Sequence, residues 1–280
     1  MPVYITKEDI ITEDGILLLR KDQRVNDTVL SKLQRFHSSI IIDFENYEIY
    51  NGLKLKNYNK IQKTSGIKII QSFSARKHIF NERILEKPNK VLSNLIFESK
   101  SEPWWIYINA LINHVSWLYI HSIDVAMMSL IMAVESGYGN SQLFNIGLGA
   151  LLHDIGMLLL PKSIIERPLE SLNETEQLIF CQHCELGKSS LESYNLPNEC
   201  TDIILQHHER LDGSGYPKGL KGDEICLNSR MVMIADAVDA ITSDCPDSES
   251  VYQLDEAIEI IKNEDKFSNE LICLLEKILQ

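Results

Sequence analysis

Positive charge is what this sequence has least of. It carries 27 Lys and Arg against 40 Asp and Glu, a formal net charge of −13 over 280 residues. A surface of that sign repels polymeric nucleic acid, so an anionic ligand would need a local site built from metal ions or a few basic groups. A leader-like start is missing too: Met1 to Ile10 holds Lys7, Glu8 and Asp9 and no apolar core, unlike a signal peptide. The longest apolar stretches, such as Ala126 to Val134, fall short of the ~20 residues of a bilayer-crossing helix. The expectation is a cytoplasmic protein with no membrane span. Paired cysteines are scarce. Of Cys181, Cys184, Cys200, Cys226, Cys245 and Cys273, only the first two form a C-x-x-C pair, and no second pair completes a zinc site. Reduced thiols are expected. No internal repeat is evident.

What is present is the composition of a folded protein: 44% apolar and 24% charged residues, enough for one sizeable core and a small accessory module. Residues 1–50 read as a small α+β module. Ile16 to Leu19 and Ile40 to Ile42 are strand-like runs, and Asn26 or Asp27 is placed to cap a short helix carrying Val29, Leu30, Leu33 and Phe36. Residues 51–90 are rich in Lys and Asn and read as an exposed connector, with Lys54, Lys56, Lys60 and Lys63 on a solvated face. Residues 91–280 are helical in pattern. His121, Val125, Met128 and Met132 share one face; Ile146, Ala150 and His153 share another, on a helix expected to end at Pro161. Ser171 with Glu174 predicts a capping box for a helix carrying Ile179, His183 and Leu186. A last helix carries Val251, Leu254, Ala257, Ile258 and Ile261. Trp104 and Trp105 are expected to anchor the core.

The polar residues on those helices form a series. His121, His153-Asp154, His183, His207-His208 and Asp236 are separated by 32, 30, 24 and 28 residues (153 − 121, 183 − 153, 207 − 183, 236 − 208). Each gap is about one helix and one connection, so a bundle can bring one ligand or ligand pair inward from each of five helices. Any one histidine on an apolar face is ordinarily a core histidine with one hydrogen bond. Five helices doing the same would bury many polar groups at roughly 1–3 kcal/mol each if unpartnered, and a metal cluster satisfies them together. Imidazole and carboxylate without thiolate suit iron, manganese or zinc. The two adjacent pairs suggest two metals sharing a carboxylate, able to activate water and polarise a phosphoryl oxygen together. Asp239, three residues past Asp236, is read as a support rather than a ligand. His37, His78 and His114 lie outside the series.

Two stretches carry a family resemblance. Residues 151–156, Leu-Leu-His-Asp-Ile-Gly, resemble the signature of the HD phosphohydrolase superfamily, and residues 207–217, His-His-Glu-Arg-Leu-Asp-Gly-Ser-Gly-Tyr-Pro, resemble the extended signature of its HD-GYP branch. His121-Ser122 with Val125-Ala126, His183 with Gly187, and Asp236 within Ala235 to Ala240 resemble the remaining ligand segments. The likeness spans about residues 91 to 265. It implies a mainly α, HD-type helical bundle, two divalent metals (iron or manganese), and hydrolysis of a cyclic dinucleotide, chiefly cyclic di-GMP, to pGpG or GMP. His153 and Asp154 are the expected catalytic pair. Arg210, Asp212, Gly213, Gly215, Tyr216 and Pro217 are the expected substrate or partner loop, the partners being diguanylate cyclase (GGDEF) proteins.

The sequence departs from that pattern at four places. Met157 stands where the family usually has Lys, Cys245-Pro246-Asp247-Ser248 where it often has Arg-Pro-Tyr-Arg, and Phe267-Ser268-Asn269 where it has Phe-Asp-Pro. Trp117 occupies the position at which some relatives carry a Glu for a third metal, so two metals are expected. The complete ligand set favours an enzyme. The missing Lys and Arg favour the alternative, a cyclic-dinucleotide receptor or interaction module that keeps the metals and turns over poorly.

Overall fold

The computed structural model describes residues 3–7, 10–11, 17–22, 24–26, 40–43, 48–51, 80, 82–114, 116–243 and 252–279. They fall into two units, Met1–Lys68 and Ile69–Gln280. In the first unit, β1 (Val3–Thr6), β2 (Ile10–Ile11), β3 (Leu17–Leu19), β4 (Arg24–Asn26), β5 (Ile40–Asp43) and β6 (Glu48–Asn51) form a sheet in the order β4-β1-β6-β5 and a separate β2-β3 pair. β1 runs antiparallel to β4 (Tyr4 opposite Val25) and parallel to β6 (Ile5 opposite Glu48). The apolar runs expected to be strands supply β3 and β5. The helix expected around Val29 to Phe36 and the lysine-rich stretch of 54–63 lie outside the described residues.

The second unit is helical. Its helices are α1 (Glu82–Ser93), α2 (Trp105–His114), α3 (Ser116–Glu135), α4 (Asn140–Leu152), α5 (Lys162–Ile165), α6 (Glu174–Cys181), α7 (His183–Leu191), α8 (Asn198–Gln206), α9 (Leu227–Thr242), α10 (Leu254–Lys262) and α11 (Asn269–Ile278). α3 is the axis: residues 121–133 are all buried, as a helix surrounded on every side must be. α4 and α9 pack against it, and α8 packs on α4. Trp104 and Trp105 are buried in the core, and Trp105 Nε1 donates to the Ile96 carbonyl at 2.9 Å. Trp117–Glu135 and Asn140–Leu159 are long and apolar enough to cross a membrane by length and composition, which counting short apolar stretches missed. They are 78% and 72% buried within the fold, so their apolar surface faces protein.

Three local expectations are corrected. The helix bearing Ile146 and Ala150 ends at Leu152, well before Pro161; Asp154 leaves it at φ −103°, ψ 12°, and a 3₁₀ turn, Ile155–Leu159, follows. The capping box belongs to Asn173 and Glu176: Asn173 Oδ1 accepts from the Glu176 N–H at 3.0 Å and Glu176 Oε2 from the Asn173 N–H at 3.0 Å. Asn caps as well as Ser, and Ser171 Oγ instead donates to the Pro168 carbonyl. The helix it starts is broken at Gln182, so Ile179 lies on α6 and His183 on α7. Finally, α10 is not the last helix. Val251 lies outside the described residues, and α11 follows, capped by Ser268 and burying Leu271, Ile272, Leu275 and Ile278. Ser268 thus has a structural task of its own within the altered Phe267-Ser268-Asn269 segment.

Candidate metal centre

Three of the expected ligands sit at helix ends. His153 follows the last residue of α4, His183 follows α6 across Gln182, and His207 follows α8. The last carbonyls of a helix have no N–H partner within it. Here imidazoles supply one: Nδ1 of His153 donates to the Ala150 carbonyl at 2.6 Å, Nδ1 of His183 to Phe180 at 2.7 Å, and Nδ1 of His207 to Ile204 at 3.0 Å. With the proton on Nδ1, Nε2 carries a lone pair, and all three Nε2 atoms turn inward. His121, from the middle of α3, does the same with a different support: its Nδ1 meets Asp239 Oδ2 at 2.7 Å, and Ser243 Oγ donates to the other oxygen of Asp239 at 2.9 Å. Asp239, fully buried on α9, is placed as the support read from the sequence.

The inward nitrogens meet one another. Nε2 of His121 lies 3.2 Å from Nε2 of His153, and Nε2 of His183 lies 3.3 Å from Nε2 of His207. Two lone pairs facing each other repel unless a proton or a metal cation lies between them. Two nitrogens about 2.1 Å from one tetrahedral ion sit roughly 3.4 Å apart, close to both spacings. Asp154 lies between the pairs. Its Oδ2 is 3.3 Å from His153 Nε2 and 3.7 Å from His121 Nε2, and its Oδ1 is 3.3 Å from His183 Nε2 and 3.4 Å from His207 Nε2. That Oδ1 is buried and has no hydrogen-bond partner, an arrangement costing 1–3 kcal/mol or more for a charged atom. Asp236 spans in the same sense, with Oδ1 3.1 Å from His121 Nε2 and Oδ2 3.6 Å from His208 Nδ1. His208 Nε2 is also buried and unpartnered. The seven residues divide into two groups able to hold an ion: Asp154, His183, His207 and His208, and His121, His153 and Asp236. These donors are of the kind that hold divalent metal ions, and Asp154 turns an oxygen towards each group.

The electrostatics agree. Burial opposes the charged form of His121, but the Asp236 and Asp239 carboxylates outweigh it and hold that imidazole well above its usual pKa. Burial pushes His183 down to about 4, with only partial relief from Asp154; burial and His207 push His208 well below its usual value. Burial also opposes ionisation of Asp154, yet the surrounding imidazoles hold its carboxyl well below the usual carboxylate range. The site therefore disfavours charge on His183 and His208, favours ionised Asp154 and Asp236, and favours positive charge near His121.

Glu209 and Cys184 were not singled out from the sequence. Glu209 is fully buried and clamps the loop that follows it: Oε1 accepts from the Lys218 N–H at 2.7 Å and Oε2 from the Leu220 N–H at 2.8 Å. A carboxylate directly before a Gly- and Pro-rich stretch was the available signal. Cys184 is fully buried with Sγ 3.4 Å from His183 Nε2, and burial together with the Asp154 carboxylate pushes its thiol up.

The loop 210–217 closes over one side of the centre. Tyr216 holds its ring centroid 4.7 Å from that of His208, tilted by 35°, and its N–H donates to the His208 carbonyl at 3.1 Å. Gly215 has no room for a side chain: a Cβ there would sit 2.4 Å from the Glu209 Cα and the Arg210 N. Gly213 adopts φ +84°, a region open to Gly. The Tyr216–Pro217 peptide is cis. Arg210 turns to the Glu209 carbonyl at 2.8 Å and stacks its guanidinium 5.0 Å from the Phe267 ring centroid. Asp212 is exposed and folds back on Ser214. Met157 is buried in the core cluster. Trp117, one helical turn before His121, is partly buried with its Nε1 enclosed and unpartnered. Residues 245–248, like His37 and His78, lie outside the described residues.

Against known proteins, a family profile described as HD domain matches residues 106–269. A cyclic di-GMP phosphodiesterase of Pseudomonas aeruginosa is 32% identical over 164 residues, 58% of this chain and 36% of that protein. A cyclic di-GMP phosphodiesterase of Borreliella burgdorferi is 33% identical over 157 residues, covering 56% and 41%. A 3′3′-cGAMP-specific phosphodiesterase of Vibrio cholerae is 37% identical over 144 residues, covering 51% and 33%. The chain thus spans between a third and about two fifths of the length of these relatives. Among solved structures, an HDG"Y"P protein of Bdellovibrio bacteriovorus superposes with a TM-score of 0.55 at 20% identity, over 99% of this chain and 93% of that one, a likeness of fold.

Proposed function

The chain belongs to the HD domain family, and from that premise we propose that it is a metal-dependent phosphodiesterase that hydrolyses a cyclic dinucleotide, cyclic di-GMP foremost, to pGpG or GMP. The observation that carries this reading is Asp154, a buried carboxylate whose two oxygens each face a separate pair of imidazole nitrogens at 3.3–3.7 Å. When bound, a pair of divalent cations supplies Lewis acidity to a phosphoryl oxygen and a water acidic enough to attack phosphorus near neutral pH.

The chain's own residues do the positioning. The Ala150, Phe180 and Ile204 carbonyls lock three imidazoles in one tautomer, and Asp239 locks the fourth, so no donor has to reorganise when charge develops. Asp154 holds the two halves of the site in register. Divalent cations held beside Asp154 and Asp236 would concentrate positive charge locally in a chain of net charge −13 and would offer a phosphodiester a place to bind. Tyr216 walls the His208 side, and Glu209 keeps the 211–220 segment in place behind it. Cyclic dinucleotide chemistry is supported by the names of relatives that match the region holding the ligands. The exposed part of the 210–217 loop is the surface we assign to a diguanylate cyclase partner. Iron or manganese is the assigned metal pair.

Binding without turnover is the second reading. It rests on Met157, which puts a buried thioether where relatives carry a basic group. Incubation of metal-replete protein with cyclic di-GMP and, separately, 3′3′-cGAMP, followed by chromatography, decides between them. Linear dinucleotide or mononucleotide is expected from wild type and not from His153→Ala/Asp154→Ala. Tight binding with no product under iron(II) or manganese would overturn the enzyme.

A further inference from the structure

Arg210 stands two residues after His208, in a chain short of positive charge. By position alone it is the cation placed to meet a phosphate. Its side chain is engaged elsewhere. Nη1 donates to the Glu209 carbonyl at 2.8 Å and reaches the His207 carbonyl at 3.4 Å, which turns the guanidinium back along its own backbone. The guanidinium carbon then lies 5.0 Å from the ring centroid of Phe267, within the ~6 Å over which a ring face attracts a cation. Phe267 is buried and belongs to the connection between α10 and α11, directly before the capping Ser268. The next loop residue makes a second tie to the same connection: the Leu211 N–H donates to the Lys266 carbonyl at 2.9 Å. The Leu211 carbonyl accepts from the Gly222 N–H at 3.0 Å, which closes the base of the loop. Two consecutive loop residues are thus fastened to two consecutive residues of the α10–α11 connection. The same loop carries Tyr216, whose N–H donates to the His208 carbonyl and whose ring lies beside His208.

We propose that Arg210 is a positioning residue: stacked on Phe267, it anchors the 210–217 loop to the α10–α11 connection and so holds Tyr216 against His208. The effect on turnover rests on the phosphodiesterase reading above; the anchor itself does not. Arginine suits the task because its planar guanidinium can hydrogen-bond in its plane and stack through its face at once. The helices α10 and α11 supply none of the seven candidate ligands, and by this route they acquire a task in the site.

Hydrogen exchange of the full chain in the presence of manganese(II) tests the anchor without reference to activity. Arg210→Ala and Phe267→Leu should each speed exchange across 210–217 by roughly threefold to thirtyfold, the range of a cation–π contact from exposed to desolvated. Helices α3 and α4 should exchange as in wild type. In Arg210→Ala/Phe267→Leu the loop should exchange no faster than in Phe267→Leu alone, because both substitutions delete one contact. Turnover of cyclic di-GMP separates an anchor from a phosphate contact. The anchor predicts that kcat and KM change in the same proportions in both single variants, whereas a phosphate contact raises KM in Arg210→Ala alone. Wild-type exchange in Arg210→Ala, fully multiplicative effects in the double variant, or a KM rise confined to Arg210→Ala overturns the proposal. No turnover in wild type overturns the phosphodiesterase reading, and the exchange results alone then decide the anchor. If Phe267→Leu does not fold, Phe267→Met replaces it, and Arg210→Ala still decides the negative.

Discussion

Gly156→Ala is the most severe test of the geometry, because it touches no ligand. Gly156 lies in the 3₁₀ turn two residues after Asp154, pressed against the start of α7. A Cβ there would sit 1.9 Å from the His183 carbonyl oxygen and 2.7 Å from the Gly187 N–H nitrogen. Both obstacles are backbone, so no side chain can swing aside. An ordinary carbon-to-carbonyl-oxygen contact is about 3.3 Å, so the two segments must part by roughly 1.4 Å. That displacement falls on the line between Asp154 and His183, now 3.3 Å apart. Overpacking of a dense interior costs about 1–3 kcal/mol when side chains can adjust; with two backbones in conflict, about 3 kcal/mol is a fair working value, a fall in Tm of roughly 6–12 °C for a unit of this size. A shift near 1 Å at a reacting centre costs on the order of a hundredfold in rate. The assay is elemental analysis, thermal unfolding followed by circular dichroism, and turnover of cyclic di-GMP. The expected outcome is a folded protein of lower Tm that loses metal from the His183 half and most of its activity. Full metal content with wild-type Tm and turnover would refute the claim that this glycine sets the spacing of the centre.

Glu209→Gln keeps the shape but turns an NH₂ towards a backbone N–H, Lys218 or Leu220, and loses a charge-assisted bond worth about 1.5–3 kcal/mol; hydrogen exchange should show faster opening of 211–220 with metal content preserved, and unchanged protection would count against the clamp. Asp239→Asn weakens the support of His121 and should lower metal affinity by about 10–100-fold, read by competition with a chromogenic chelator. Met157→Lys should tighten cyclic di-GMP binding and lower Tm, since an ammonium must extend out of a core position; unchanged affinity would show that the family's basic group has no work to do here. Glu176 is held below its usual 4.5 by hydrogen bonds from Arg167 and from the Asn173 N–H. Its folded pKa lies below the unfolded one, so its contribution is full above about pH 4.5 and is lost as pH falls through the depressed value. The Tm difference between wild type and Glu176→Gln should shrink over that acid window and stay level above it.

The ligand series was legible because coordination restricts residue type. Few side chains can serve a cation, so His121, His153, Asp154, His183, His207, His208 and Asp236 stood out at one-helix intervals, and the structure brings all seven together. The break after Leu152 was not legible: no Gly or Pro stands among residues 150–155, and the close approach of Gly156 to the start of α7 is a contact distant in sequence. The capping box was misplaced by two residues because Ser171-x-x-Glu174 and Asn173-x-x-Glu176 satisfy the same pattern, and only backbone direction separates them. Cys184 looked like an idle half of a C-x-x-C pair because its relation to His183 depends on how an imidazole is turned. The burial of Met157 was equally hidden, since a substitution read against a family pattern says what is lost and not where the new side chain goes.

The carbonyls that aim His153, His183 and His207 belong to Ala150, Phe180 and Ile204, three apolar residues whose side chains cannot accept a hydrogen bond. What they share is a place three residues earlier in the last turn of a helix, and the group that acts is one that every amino acid possesses. The aim of these rings is therefore shielded from mutational drift: a substitution at those three positions can change packing without deleting the acceptor. Such a centre can pass through long divergence with its outer supports unrecorded in any pattern of side chains, while the imidazoles they steer stay fixed. Asp239, whose acceptor is its own side chain, is the exception, and it is the support that drift can remove.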